Sequence, residues 1–78
     1  MPETTTLDGW KSLPEYRSRR EHIFRTTGSL TWYVRLHRAA LIEAGALRML
    51  VGQWHAHAER FDAYVLQAGE TAAKLHAV

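Results

Sequence analysis

Residues 26–57, TTGSLTWYVRLHRAALIEAGALRMLVGQWHAH, contain the patterns that decide the fold. Within them, Leu30–Ala44 has no glycine or proline, and Gly45 stands where helices commonly end in a left-handed residue, so a long helix is predicted. Ser29 is predicted to be the N-cap of this helix, after a short turn. Apolar residues fall on more than one side of the helix, which predicts that it is packed on more than one side.

A β-hairpin is predicted downstream, at Leu47–His57. Two short runs there flank Val51 and Gly52, a two-residue centre that suits a tight turn. Trp32 in the long helix and Trp54 in the hairpin are predicted to be core residues, because large aromatic side chains anchor the interior of a small domain.

The flanking segments predict two more helices. A first helix is expected over Ser12–Arg25, because Ser12 matches an N-cap and Glu15 follows three residues later. A final helix is expected from about Ala58 to Ala68 and to stop near Gly69. The chain is thus expected to comprise a flexible N-terminal tail (1–9), one domain (10–69), and a C-terminal tail or frayed helix (70–78).

Length and composition restrict the class of protein. The 78 residues form one small domain, which buries only about 60% of the surface that its unfolded chain exposes. Because there is no cysteine, a disulfide framework and a thiolate zinc site are excluded. The sequence shows neither a membrane-spanning apolar run nor the features of a signal peptide. We therefore expect a cytoplasmic protein that is neither secreted nor inserted in a membrane.

The charge is unevenly distributed along the chain. Residues 10–38 contain seven basic and two acidic side chains, whereas residues 39–78 contain three basic and four acidic ones. A concentration of positive charge on one part of a small domain predicts a phosphate-binding surface. The alternative interpretation is a basic face that is merely solvated.

The order helix, turn, helix, hairpin, helix is typical of a winged helix-turn-helix, a mainly α fold with a short β-hairpin. In that fold the second helix enters the major groove of duplex DNA and the hairpin, or wing, lies along the adjacent backbone. Base or near-base contacts are expected from one face of the second helix: Thr31, Arg35 and Arg38. Phosphate contacts are expected from Arg19, Arg20, Arg25 and Ser29, and wing contacts from Arg48, Gln53 and His55.

Two stretches, LIEAGAL at residues 41–47 and GQWHAHAERFDAY at residues 52–64, carry a family resemblance. Over about residues 29–66 the chain resembles the small excisionase-like, MerR-type winged-helix proteins of phages and integrative elements. The resemblance implies sequence-specific binding of double-stranded DNA without catalysis, as an excision factor or a transcriptional regulator. The resemblance implies an integrase as a partner. Because many operator-binding proteins pair to contact two half-sites, a second copy of the chain is a further candidate partner, and the sequence leaves binding as a single copy, a dimer or a cooperative array open. Gln53 departs from the family, because Arg or Lys often stands beside the Trp of the wing.

The sequence also has features that are compatible with functions other than DNA binding. The excess of apolar residues in Leu30–Ile42 is compatible with a small protein-interaction module, such as an anti-repressor or adaptor. His55 and His57, two residues apart on a strand, could face one metal ion, but the sequence lacks a recognised metal-binding spacing. Glu59 and Asp62 are interpreted as solubilising residues that interact with a helix dipole. We expect no catalytic residues, no metal and no cofactor.

Overall fold

A computed structural model describes residues 7–76, and 60% of these are helical. The elements in chain order are β1 (Trp10–Ser12), α1 (Leu13–Ser18), α2 (Thr27–Glu43), β2 (Leu47–Leu50), β3 (Gln53–His57) and α3 (Ala58–His76). Residues 1–6 of the predicted N-terminal tail and residues 77–78 of the predicted C-terminal segment lie outside the described part. No helix within residues 7–76 is long and apolar enough to cross a lipid bilayer.

The three strands form one antiparallel sheet in the order β1-β3-β2. The predicted hairpin is confirmed, with Leu50 opposite Gln53 at its closed end. Its two-residue turn places Val51 at φ 51° and Gly52 at φ 76°. Two successive left-handed residues define the type I′ geometry that matches the twist of paired strands. Glycine adopts this backbone freely, whereas a β-branched valine is strained in it.

The sequence did not predict β1, which lies at the border of the expected tail. Trp10 pairs with His57 at the far end of β3, and the Gly9 carbonyl accepts a hydrogen bond from the Ala58 N–H at 3.1 Å. A strand of three residues has no recognisable alternation of apolar and polar side chains. The conformation of β1 is determined by its pairing with β3, which is distant in sequence. Local sequence therefore could not predict this strand.

Helix α1 begins as predicted and ends early. The Ser12 Oγ accepts a hydrogen bond from the Glu15 N–H at 3.3 Å, which confirms Ser12 as the N-cap. The predicted extension to Arg25 is wrong, because the helix ends at Ser18 and gives way to turns. The Ser18 hydroxyl donates to the Glu15 carbonyl at 2.9 Å and thereby competes with the helical bonding pattern.

Tertiary contacts hold the segment after α1 in its turned conformation. The Arg17 guanidinium donates to the carbonyl oxygens of Phe24 (3.3 Å) and Arg25 (3.1 Å). The Phe24 ring is buried, with its centroid 5.4 Å from that of Tyr33. Local helix propensity is weak relative to such contacts, so the tertiary structure prevails.

Helix α2 is longer than predicted at its N-terminus. Thr26 rather than Ser29 is the N-cap: the Thr26 Oγ1 accepts from the Ser29 N–H at 3.0 Å, and the Ser29 Oγ accepts from the Thr26 N–H at 3.2 Å. The prediction that Ser29 is the N-cap is therefore wrong by three residues. At the other end Gly45 has φ 75°, which confirms the left-handed residue predicted there.

A bend interrupts α2 at His37, whose φ of −115° and ψ of 18° are not helical. The His37 ring stacks on Tyr33 with centroids 4.2 Å apart, and its Nδ1 lies 2.9 Å from the Tyr64 hydroxyl. These contacts join the middle of α2 to α3. They hold the His37 side chain on the inner side of α2 at the bend.

The core lies between α1, α2, the sheet and the first half of α3. Its buried apolar residues are Tyr16, Phe24, Leu30, Val34, Leu41, Ala46, Leu47, Ala56 and Phe61. Trp54 packs against this cluster as predicted. Helix α3 does not stop near Gly69: it continues to His76, which agrees with the alternative of a helix over the C-terminal segment, and the Lys74 ammonium lies 3.4 Å from the Glu70 carboxylate.

Candidate nucleic-acid interface

The solvent-facing side of α2 presents three side chains that we call the basic stripe: Thr31, Arg35 and Arg38. All three are exposed. Steps of four and three residues place them on one face of a helix. The buried side of α2 is formed by Leu30, Val34 and Leu41. The stripe thus presents a hydroxyl group and two guanidinium groups to solvent.

Arg38 is positioned by the hairpin. Its guanidinium carbon lies 5.5 Å from the centroid of the Trp54 ring, within the range of a cation–π contact. Trp54 is half-buried and packs against the core, so it offers a fixed surface to the cation. One end of the basic stripe is therefore held against β3.

Arg48 joins β2 to the end of α2. Its Nη1 donates to the carbonyl oxygens of Ile42 and Leu47, both at 2.9 Å. The carbonyls of the last helical turn lack partners within the helix, and a guanidinium is a good donor to them. The side chain predicted to contact DNA from the wing thus also fixes the hairpin relative to α2.

The remaining two predicted wing residues lie near the tip of the hairpin. Gln53 is exposed and directly follows the turn. The His55 Nδ1 lies 3.1 Å from the Gln53 carbonyl oxygen. Gln53 and His55 therefore occupy alternate positions on β3 and project to the same side of the strand.

Ser29 takes part in capping the N-terminus of α2. Its hydroxyl donates to the Thr26 carbonyl at 2.7 Å, in addition to the reciprocal capping bonds with that residue. A phosphate contact from Ser29 would therefore compete with the cap.

The three arginines predicted to contact phosphate have different environments. Arg25 is exposed near the start of α2. Arg19 is exposed and lies 3.9 Å from the Glu15 carboxylate, a distant ion pair on the surface. Arg20 is held by Asp62 in a two-point contact, with Nε donating to Oδ1 at 2.8 Å and Nη2 donating to Oδ2. Its Nη1 donates to the Arg19 carbonyl at 3.1 Å, so each of the three guanidinium nitrogens already has a partner and the carboxylate neutralises the charge that would attract a phosphate.

Tyr16, Arg20 and Asp62 form what we call the Asp62 cluster. The Tyr16 hydroxyl donates to the Asp62 Oδ1 at 2.6 Å, so the carboxylate accepts three hydrogen bonds. The bonds from Arg20 hold the pKa of Asp62 below its usual range, and the bond from Tyr16 acts in the same direction. Burial, followed by the bond to Asp62, raises the pKa of Tyr16. The cluster links α3 to α1 and to the turn after it, a role that the sequence did not indicate.

Trp32 and Leu36 correct another prediction. Trp32 was expected in the core, but 58% of its surface is exposed, and Leu36 one turn later is 59% exposed. The prediction was wrong because α2 buries only one side, on which Leu30 and Val34 lie. The sequence contained the signal, since Trp32 lies two positions away from each of these residues and so faces away from them.

The two histidines considered as metal ligands have separate environments. His57 is buried, its Nδ1 accepts from the Arg60 N–H at 3.3 Å, and its ring lies edge-on to Trp10 with centroids 5.2 Å apart. His55 contacts the Gln53 carbonyl. Between residues 7 and 76 no group of three or more His, Cys, Asp or Glu side chains is arranged to hold a metal ion.

Comparisons with protein-family models, with curated proteins and with solved structures find no match to this chain. Guanidinium groups are planar donors that suit the paired acceptors of phosphate groups and of guanine, and a threonine hydroxyl both donates and accepts. The basic stripe thus offers the chemistry for binding a polyanion that displays acceptors at its surface.

Proposed function

We propose that this chain is a sequence-specific double-stranded DNA-binding protein with a winged helix-turn-helix fold. In this proposal α2 is the recognition helix, the β2–β3 hairpin is the wing, and α1 with its following turn supports α2. The proposal includes a cytoplasmic location and a role as an excision factor or transcriptional regulator of a mobile element. The partners would be duplex DNA and an integrase or further copies of the chain.

The observation that carries the proposal is the basic stripe and its attachment to the hairpin. Arg35 and Arg38 lie on the solvent-facing side of α2, and Arg38 stacks on Trp54 of β3. Arg48 links β2 to the α2 C-terminus. A recognition helix that is rigidly joined to a wing can contact a major groove and the neighbouring backbone together.

Within this proposal the residues have distinct roles. Arg35 and Arg38 donate to base edges, assisted by the Thr31 hydroxyl. Arg25 and Arg19 donate to phosphates beside the groove, while Gln53 and His55 lie against the backbone under the wing. Arg20 is proposed only to stabilise the fold, because Asp62 engages two of its nitrogens.

The test is DNA affinity in charge-removal variants. A random 20-base-pair duplex pool is first selected on the protein, and the enriched duplex is labelled. Arg35→Ala and Arg38→Ala are each expected to weaken binding by about 1–3 kcal/mol. Lys74→Ala is the matched control, because it removes the same charge from an exposed position on α3 and is expected to bind like the parent. Equal affinities for the two arginine variants and this control would overturn the assignment of α2 as the recognition helix.

Exposed Trp32 and Leu36 favour one rival, a protein-interaction module. The dependence of binding on salt separates the two. DNA affinity falls steeply with salt concentration as counterions are released, whereas an apolar protein interface is largely insensitive to salt. An absence of any enriched duplex would reject the DNA-binding proposal in favour of this rival.

A further inference from the structure

The outermost side of α2 is apolar as well as basic. Leu30 and Val34 mark its buried side, and at 3.6 residues per turn Trp32 falls nearly opposite both. Leu36 follows Trp32 by one turn, and both are more than half exposed. Arg35 lies between them in sequence and is exposed beside them. A recognition helix would therefore present these two apolar side chains to the floor of the groove.

Large apolar side chains that are exposed next to one another on a helix are typical of a binding surface, whereas single ones are common on any protein. The charge around Trp32 and Leu36 restricts the ligand of such a surface. Arg35 is exposed on the same surface of α2, Arg38 is exposed on the flank of the helix, and the single carboxylate of α2, Glu43, is at its last residue. The ligand must therefore combine negative charge with small apolar groups. The major groove of duplex DNA does so, because every thymine places a C5 methyl group there.

We propose that Trp32 and Leu36 contact thymine methyl groups, so that the preferred DNA site has thymines next to the base pairs contacted by Arg35. This inference rests on the DNA-binding function proposed above. Residues one helical turn apart are separated by about 6 Å, and successive base pairs by about 3.4 Å. The two side chains thus reach methyl groups that are one or two base steps apart.

Uracil substitution tests the proposal, because deoxyuridine differs from thymidine only in lacking the C5 methyl group. The duplex enriched from the random pool is resynthesised with one thymine at a time replaced by uracil. Loss of a methyl contact is expected to weaken binding of the parent protein about fourfold, the effect of burying one methyl-sized apolar group. The effect is expected at one or two neighbouring thymines and not at the others.

Variants assign the effect to the residues. Each variant, Trp32→Ala or Leu36→Ala, lacks one of the proposed contacts. At the base position that the missing side chain would contact, the variant is expected to bind the thymine duplex and the uracil duplex with equal affinity. Leu66→Ala is the matched control, since Leu66 is also an exposed helical leucine but lies on α3. It is expected to retain the fourfold preference for thymine.

The outcomes separate this inference from the function on which it rests. If no duplex is enriched, the DNA-binding proposal itself fails. If a duplex is enriched but binds equally well with uracil at every position, DNA binding stands and the methyl contact is overturned. A uracil effect that persists in both α2 variants also overturns the assignment. If these variants change only the sedimentation of the free protein, Trp32 and Leu36 form an interface between copies of the chain instead.

Discussion

Asp62→Asn is the substitution that best tests how the helices are held together. The Asp62 carboxylate accepts bonds from the Tyr16 hydroxyl, the Arg20 Nε and the Arg20 Nη2. Hydrogen bonds to a charged group contribute about 1.5–3 kcal/mol each where they are buried. The side chains of Arg20 and Asp62 are about one third exposed, so water replaces part of this contribution.

We therefore expect Asp62→Asn to lower the free energy of unfolding by about 2 kcal/mol, because the amide keeps one acceptor and loses the charge. For a domain of this size that corresponds to a decrease in Tm of about 8–16 °C. Urea unfolding at pH 7, followed by far-UV circular dichroism, measures the difference. Glu43→Gln is the control, because it removes a carboxylate from an exposed position at the end of α2.

The comparison of the parent protein with Asp62→Asn also gives a prediction for the dependence of stability on pH. Because the Arg20 bonds lower the folded-state pKa of Asp62, the unfolded chain binds more protons at acid pH and stability rises with pH there. The stabilisation is complete above the unfolded pKa of about 3.9 and is lost as the pH falls through the lower folded value. The parent is expected to exceed Asp62→Asn by a constant amount from pH 7 to about pH 5, and by less below about pH 4. Surface substitutions usually change the free energy of unfolding by less than about 0.5 kcal/mol. A difference between the parent and Asp62→Asn below this value at pH 7 would refute the reasoning.

Three further predictions concern the backbone and the hairpin. Val51→Asn is expected to stabilise the protein by about 1 kcal/mol by relieving a strained left-handed valine; Val51→Thr, still β-branched, is expected to give no gain in the same thermal melts. Gly45→Ala is expected to destabilise the protein by about 1–2 kcal/mol because Gly45 has a positive φ. Gly69 lies in the interior of α3 with open space around it, so Gly69→Ala is expected to stabilise the protein by about 0.5–1 kcal/mol. Equal effects of the two substitutions would contradict the assigned backbone. A double-mutant cycle of Arg38→Met, which keeps an unbranched side chain and removes the cation, with Trp54→Leu is expected to give a coupling energy of about 0.5–1 kcal/mol for the cation–π contact, and additive effects would exclude it.

The helix boundaries show what local sequence can determine. The N-cap at Ser12, the left-handed Gly45 and the tight turn at Val51 and Gly52 were all predictable, because each depends on the chemistry of a few adjacent residues. The end of α1 at Ser18 was not predictable, because it depends on distant contacts of the residues that follow.

The candidate site was predictable to a similar extent. Helical spacing predicted that Arg35 and Arg38 lie on one exposed face. The same spacing could have placed Trp32 on the exposed side of α2 and not in the core. The pairing of Arg20 with Asp62 joins residues 42 positions apart. No local pattern marks a pair at that separation, so Arg20 was assigned to phosphate on its charge alone.

Under the proposed DNA-binding function, the bond from Arg48 to the Ile42 carbonyl restricts how the DNA site is arranged. It joins the hairpin to the end of α2, so the two cannot change their separation independently. On duplex DNA, one inserted base pair rotates the flanking segment by about 35° and shifts it by about 3.4 Å. We expect binding to tolerate base changes between the segments under α2 and under the hairpin, but not the insertion of a single pair. The protein would thus recognise a spacing as well as a sequence.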